Sequence, residues 1–426
     1  MATSLKICLW NANGLYQHIQ ELKYFLSHNS IDMLLISETH LKEKCHLRIP
    51  NFTIYSSEHP DGTAHGGSAI IIRSNIRHYE LEPICENYLQ ATCVSIDLSL
   101  CAVTVSALYC PPKHIISKNQ FSDFFSKLGN KFIAGGDYNA KHTSWGSRLI
   151  TPRGRELLKS IDSNNYNSIS TGEPTYWPSD LSKLPDLLDF FVVKNINEDL
   201  LRIESCLDLT SDHSPVILNY STVLKSGLSD HHLTNYLTNW IAFRNIIESK
   251  VNCNIPLKHE HDINNAINNL TSIFQDAAKN STPKFAGNRK SLCPINIKQN
   301  IAIKRKLRKA WQLTRSPEDK KRYNKACKDL KALIFQHKNE SFDNYLNNLT
   351  PNQDTNYSLW KATRKIKNPI RQIPPIRKSD QSWARNPIEK SQIFADHLFN
   401  SFHPAPQNCT DDAEYFIHQY LQNEPR

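Results

Sequence analysis

Across the first 220 residues, short apolar runs of strand length stop repeatedly on a polar side chain capable of chemistry. Leu5-Lys6-Ile7-Cys8-Leu9-Trp10 ends at Asn11, and Asp32-Met33-Leu34-Leu35-Ile36-Ser37 ends at Glu38. Phe132-Ile133-Ala134 runs into Gly135-Gly136-Asp137, two residues before Asn139. Leu187-Leu188 leads into Asp189-Phe190-Phe191, and Ser211-Asp212-His213 precedes an apolar run over 215–220. Runs this short, bounded by turn residues, suit buried strands better than helices. Further strands are expected over 67–73, 91–98, 102–108 and 202–207. Helices are expected over 17–27, where Ile19, Leu22, Phe25 and Leu26 share one face, and over 153–161. The pattern predicts a mixed α/β domain over 1–222, with strand-end side chains gathered along one edge.

The remainder of the chain differs in kind. Residues 1–222 hold 19 Lys/Arg against 23 Asp/Glu, a net of −4, whereas 223–426 hold 32 against 18, a net of +14. Between 284 and 390 the count is 26 against 8, a net of +18, which suits a polyanionic partner or a solvated helix face. Ala266, Ile267, Leu270, Ile273 and Phe274 fall on one helical face. Ser316-Pro317-Glu318-Asp319 is a helix start, with a capping Ser, Pro at the first helical position and acids in the first turn. The 11 cysteines are odd in number and lack any C-x-x-C pair, which argues against a disulfide framework or structural zinc and favours a reducing compartment. No stretch approaches the ~20 apolar residues of a membrane span, and Met1–Lys6 runs straight into a strand without a signal peptide.

Taken alone, each strand-end carboxylate reads most simply as a turn residue or cap, and Gly-Asp-x-Asn is a weak signal because Gly and Asp belong in turns. Together they make a chemical set. Hydrolysis of a phosphodiester with a hard divalent cation needs oxygen ligands, a base or anionic neighbour for the attacking water, and positive charge beside the phosphoryl oxygens. A His held by a carboxylate supplies the last of these. Either Asp186 or Asp189 is placed to be that carboxylate.

The order of motifs resembles the endonuclease/exonuclease/phosphatase superfamily, and in particular the apurinic-endonuclease-like domain of jockey-type non-LTR retrotransposons. The likeness is carried by Trp10-Asn11-Ala12-Asn13-Gly14, Ser37-Glu38-Thr39-His40, His65-Gly66-Gly67, Tyr109-Cys110-Pro111-Pro112, Gly135-Gly136-Asp137-Tyr138-Asn139, Leu188-Asp189-Phe190-Phe191 and Ser211-Asp212-His213. It covers residues 5 to about 220 and implies a four-layer αββα sandwich. It also implies an endonuclease dependent on Mg²⁺, with Mn²⁺ as a substitute, that nicks DNA to leave a 3′-hydroxyl. By the same likeness Glu38 is a metal ligand, supported by Asn11 and with Asp212 nearby. Asp137 would orient or deprotonate the water, and Asn139 would hold a phosphate oxygen. His213 would contact the phosphate, Asp189 rather than Asp186 would be its partner, and Tyr109 would aid the phosphate or leaving group. These residues are expected to converge in one open acidic pocket lying wholly within 1–222, so that nicking would survive removal of the rest.

The basic segment Lys304-Arg305-Lys306-Leu307-Arg308-Lys309-Ala310-Trp311 is similar to the helical connector that precedes the reverse transcriptase in such elements; Ser358–Thr363 and Ile373–Ile376 continue the similarity. Lys304, Arg305, Lys306, Arg308 and Lys309 are the candidate nucleic-acid contacts, to target DNA and to element RNA. Trp311 and Trp360 read first as packing between helices and second as base-stacking platforms. No strand-borne Tyr/Phe-x-Asp-Asp is present, since Thr410-Asp411-Asp412-Ala413 has polar flanks. The chain therefore reads as an element product truncated before its polymerase, made in the cytoplasm and acting in the nucleus. Two other functions compete: a phosphoesterase of the same superfamily acting on a smaller ester, and a non-catalytic nucleic-acid-binding relic.

Overall fold

The computed structural model describes residues 4–42, 47–98, 101–222, 238–252, 259–283, 293–347 and 387–402, with short pieces at 233–234, 255, 376–378, 380 and 382–384. In chain order the first part runs β1 Leu5–Asn11, α1 Ile19–His28, β2 Met33–Ser37, β3 Phe52–Ser57, β4 Ser68–Arg73, β5 His78–Glu80, β6 Ile84–Glu86, β7 Leu89–Asp97 and β8 Ala102–Tyr109. It continues with α2 Lys118–Lys127, β9 Phe132–Asp137, α3 Pro152–Ser163, β10 Asn167–Ile169, β11 Asp189–Lys194, β12 Leu201–Ser205 and β13 Val216–Tyr220.

These strands form two sheets. One has the order β12-β13-β1-β2-β4-β3, and the other β10-β11-β9-β8-β7-β5 with β6 also on β7. Alternation along each strand builds the layers, because successive side chains point to opposite faces. Leu5, Ile7 and Leu9 of β1 share the core between the sheets with Ile133 of β9 and Phe191 and Val193 of β11. Cys8 and Trp10 face outward onto Leu22, Phe25 and Leu26 of α1. On the far side, Phe132, Ala134 and Phe190 pack against Phe121, Phe125 and Leu157 of α2 and α3. The result is helix, sheet, sheet, helix: the expected four-layer α/β sandwich.

Strands β3, β5, β6 and β10 and helix α2 have no counterpart in the sequence reading. Four are edge or three-residue strands with half-exposed positions, which leave little apolar pattern. Helix α2 starts on a capping box between Ser117 and Gln120.

Beyond Tyr220 the described elements are chiefly helical: α4 Trp240–Lys250, α5 Glu260–Ser281, α6 Ile295–Thr314, α7 Pro317–Asn347 and α8 Pro387–Ser401, with one small hairpin, Ile376–Arg377 on Trp383–Ala384. Ser316 Oγ accepts from the N–H of Glu318 as the sequence suggested, at 3.2 Å. The expected apolar face of α5 is divided: Ile273 is buried with Ala277 and Ala278, whereas Ile267, Leu270 and Phe274 are exposed among the described residues. Helix α7 packs along α6 and returns to α1, where the Tyr24 hydroxyl meets His337 Nδ1 at 3.0 Å. Trp360 and Thr410–Ala413 lie outside the described residues. Among the described helices none is long and apolar enough to cross a membrane.

Candidate active site

The ends of β1, β2, β8, β9 and β11 reach one edge of the sandwich together, and pairing register sets their alignment. Asn11 lies opposite Ser37, Tyr109 opposite Asp137, and Asp137 opposite Asp189. Ser37 joins the two sheets at this point. Its hydroxyl donates to the carbonyl of Leu108 at 2.7 Å and accepts from the Asp137 N–H at 3.1 Å.

Asp137 is the hub. Its Oδ2 accepts from the amide groups of Asn11 at 2.9 Å and Asn139 at 3.0 Å, and its Oδ1 accepts from the backbone N–H of Asn139 at 2.9 Å. Beside it, His213 Nδ1 lies 2.6 Å from Asp189 Oδ2, which also accepts from the Thr175 hydroxyl at 2.6 Å. Asp137, Asp189 and His213 are all buried, with ligand-type atoms within 4.8 Å of one another. The expected convergence is therefore present, but its floor is closed rather than open; Glu38, with 21% of its side chain exposed, stands nearer solvent.

Geometry separates the two candidate partners of His213. Asp186 is buried too, yet it is spent on Lys141 Nζ at 3.0 Å and on the N–H groups of Arg148 and Leu187. Asp189 is the carboxylate against the imidazole. Asn139 differs from its sequence-stated task in one respect: its amide nitrogen already donates to Cys110 O and to Asp137 Oδ2, so here it orients Asp137. Glu38 holds φ of +51°, a left-handed backbone that such a residue adopts only where surroundings enforce it, whereas Asn139 at +46° is of a type that takes it readily. Tyr109 hydrogen-bonds Glu38; burial, with Glu38 and Asp137 nearby, pushes its phenol well above the ordinary range. Asp212 is half-buried with Asn13 Nδ2 at 3.5 Å from its Oδ1.

The electrostatics fit a cation. Burial, then the Asp189 charge, pushes Asp137 up to about 8. Burial pulls His213 down, but the charge and hydrogen bond of Asp189 outweigh it and lift the imidazole to about 10. Asp189 Oδ1 is buried without a hydrogen-bond partner among the described residues. Crowded, part-unsatisfied carboxylates are what a divalent ion neutralises, and the oxygen-rich set suits a hard one. A second grouping, His59, Asp61 and His65, lies on the exposed β3–β4 loop, where Asp61 also accepts from Thr63. A cleft of about 570 Å³ between α1 and α7 contains none of these side chains.

Sequence reasoning missed the residues that hold the loops. Arg153, from α3, donates to the carbonyls of Cys110, Pro111, Tyr138 and Asn139, tying the loop after Tyr109 to the loop after Asp137. Ser211 accepts from Trp10 Nε1 at 2.9 Å and lies 2.8 Å from the Asn11 carbonyl. The candidate nucleic-acid row on α6 is corrected by the structure. Lys304 is buried against Glu21, Arg305 pairs with Asp208 (Nη2 to Oδ2 2.6 Å), and Arg308 is fully buried. Only Lys306 and Lys309 of the five are exposed, because the helix turns one face of its cations onto the sandwich. Trp311 is buried and stacks on Tyr323 at 5.8 Å, which is the packing role.

Residues 103–217 match the family model described as endonuclease-reverse transcriptase. The chain is 33% identical over 98% of its length to the RNA-directed DNA polymerase from mobile element jockey of Drosophila melanogaster, covering 46% of that protein. It is 32% identical over 98% of its length to a probable RNA-directed DNA polymerase from transposon X-element of the same fly, covering 47%. Among solved structures, the endonuclease domain of TRAS1, a telomere-specific non-LTR retrotransposon, aligns with 51% of this chain and 99% of that one, at TM-score 0.44 and 21% identity. The chain spans about half the length of the curated relatives it matches. Over nearly its whole length the chain is thus similar to proteins of jockey-type mobile elements, and its residues 103–217 match a family of endonuclease type.

Proposed function

We propose that the chain is a divalent-metal-dependent DNA endonuclease that nicks one strand and leaves a 3′-hydroxyl, with Mg²⁺ as the resident ion. The observation that carries this reading is the Asp189–His213 pair, 2.6 Å apart, set against Asp137, which is itself gripped by Asn11 and Asn139. Glu38, supported by Asn11 and Asp212, would hold the ion, which when bound supplies Lewis-acid stabilisation of the phosphoryl oxygens. The chain's own residues do the rest. Asp137, fixed by two amides, orients the attacking water and takes its proton. His213, charged through Asp189, offers positive charge and a hydrogen bond where the pentacovalent phosphate becomes most negative. Tyr109, beside Glu38, is placed to steady the phosphate or the departing oxygen. Acting in the nucleus on target DNA, such a nick would supply a primer end for an element RNA.

A supercoiled plasmid assay tests this. Mg²⁺ should convert supercoiled to open-circular DNA, EDTA should stop it, and the nick should be extendable by a polymerase without end repair. Release of phosphate from a small ester with no nicking would favour the phosphoesterase reading. Binding without any cleavage, unchanged in Glu38→Ala, would favour the relic.

A further inference from the structure

Loop 207–214 carries both Asp212 and His213, and its own Ser211 hydroxyl ties it together in part, accepting from the His213 N–H at 3.1 Å and lying 2.9 Å from the His213 carbonyl. Leu209 lies in the left-handed region at φ +52°, a position that costs a non-glycine residue energy. Four carbonyls of the loop, those of Asp208, Leu209, Ser211 and His213, turn toward α6, which is nearly a hundred residues further along the chain.

One side chain answers them. Arg308 Nη1 donates to Asp208 O and Leu209 O, each at 2.7 Å, and more weakly to Leu207 O at 3.4 Å. Its Nη2 donates to His213 O at 2.9 Å, and to Ser211 O and Ser214 Oγ at 3.3 Å. Gln312, one turn on, reaches the same Ser214 hydroxyl at 3.2 Å. The guanidinium is wholly buried and sits over the Tyr323 ring at 6.0 Å. Arg153 does the same for the loops bearing Tyr109 and Asp137, but from within the sandwich. The two arginines form a matched pair of carbonyl clamps on the two sides of the site.

We infer that Arg308 is a positioning residue for His213, so that α6 completes the endonuclease site instead of merely following it. This rests on the endonuclease reading above. It reverses the sequence-based expectation that residues 1–222 suffice for nicking. A planar five-donor fork fans over several carbonyls at once, which an ammonium cannot do. Loss of the fork takes the buried donor from the carbonyls of Asp208, Leu209 and Ser211, leaves the His213 carbonyl with the Ser211 hydroxyl, and frees the His213 main chain to shift. A misplacement of about 1 Å at a reacting group costs on the order of 10²-fold in rate.

The test uses the full chain with Arg308→Lys and Arg308→Gln, and Tyr24→Phe as a control that loosens the docking of α7 on α1 at His337 without touching loop 207–214. Nicking by the Arg308 variants should fall on the order of 10²-fold in kcat with little change in KM, while Tyr24→Phe lowers the melting temperature without that split. Independently of activity, the far-downfield proton of the His213–Asp189 hydrogen bond should be present in the parent and in Tyr24→Phe and absent from the Arg308 variants, with His213→Ala as assignment control. A folded Arg308 variant that keeps both the resonance and the parental kcat would overturn the inference. A parent that shows the resonance, loses it in Arg308→Lys, and never nicks DNA would instead sink the endonuclease reading and leave the clamp standing.

Discussion

Asp189 is where a single atom changes the chemistry. Its Oδ2 serves both the Thr175 hydroxyl and the imidazole of His213. In Asp189→Asn the shape is kept, but the carboxylate that hydrogen-bonds the imidazole is gone, and the ring is free to turn. In a serine protease the same change at its carboxylate–His pair costs about 10⁴-fold in turnover. A loss of roughly 10³–10⁴-fold in plasmid nicking is expected, with the circular dichroism spectrum unchanged; a parental rate would dismiss the pair from the mechanism. Asp137 makes a second, pH-dependent case. Its folded value of about 8 lies above the ~3.9 of an unfolded chain, so between these pH values the folded state keeps a proton that the unfolded state has released. The stability this contributes is full below ~3.9 and is lost as pH rises to about 8. A cation held at Glu38, close enough to act on Asp137 by charge, disfavours that proton. Thermal stabilisation by Mg²⁺ should therefore be small at pH 5, larger at pH 8, and absent in Glu38→Gln. An equal shift at both pH values would argue against a cation among these carboxylates. At this scale the sequence was legible wherever a residue's neighbours in the chain defined its place. Asp189 was preferred to Asp186 through the resemblance, in which the acidic residue directly precedes an apolar strand. Nothing in the sequence shows that Asn139 spends its amide on Cys110 and Asp137, because that depends on a strand almost thirty residues away.

At the scale of elements, the site depends on how closely β8 and β9 approach. Gly135 and Gly136 look like turn residues in the sequence, yet both lie inside β9. A Cβ on Gly136 would sit 2.0 Å from the Leu108 carbonyl oxygen, a backbone atom that cannot step aside. Gly136→Ala must therefore part the strands that align Tyr109 with Asp137. A loss of about 1–3 kcal/mol in chemical denaturation is expected, together with weaker nicking. Full stability in the variant would mean that the strands have slack there. The buried strands β1, β2, β7, β8, β11 and β13 were readable because a core on one or both faces forces a dense apolar run. The edge strands β3, β5 and β10 have no such requirement, and their pairing is a tertiary outcome. Arg153 and Arg308 were unreadable for a related reason. A carbonyl clamp has no local pattern, and a buried arginine looks like any other basic residue until its acceptors are known.

At the scale of the whole molecule, charge is divided between two tasks that composition alone merges. The segment 284–390 carries a net of +18, but Lys304, Arg305 and Arg308 face the sandwich and answer Glu21, Asp208 and backbone carbonyls. If the helical pair binds nucleic acid, phosphates meet the cations that it leaves exposed. Lys306 and Lys309 of α6, with Lys321, Lys325 and Lys328 of α7, are exposed. Each neutralised phosphate contributes about −0.9 to the slope of log binding constant against log salt on duplex DNA. If these five lysines all meet phosphates, their share of the slope is roughly −4.5. Replacing the five by Gln should flatten the slope by that amount and weaken binding to unrelated duplex sequences alike, since contacts of this kind read no base. Replacing Lys304 and Arg305 should act differently, because those side chains hold α6 to the sandwich. The melting temperature should fall while the salt slope stays within about one unit of the parent. Fluorescence anisotropy on one labelled duplex across a salt series separates the two sets. A slope that flattens with Lys304 and Arg305 but not with the exposed five would return the phosphate contacts to the buried face and require α6 to undock before DNA binds.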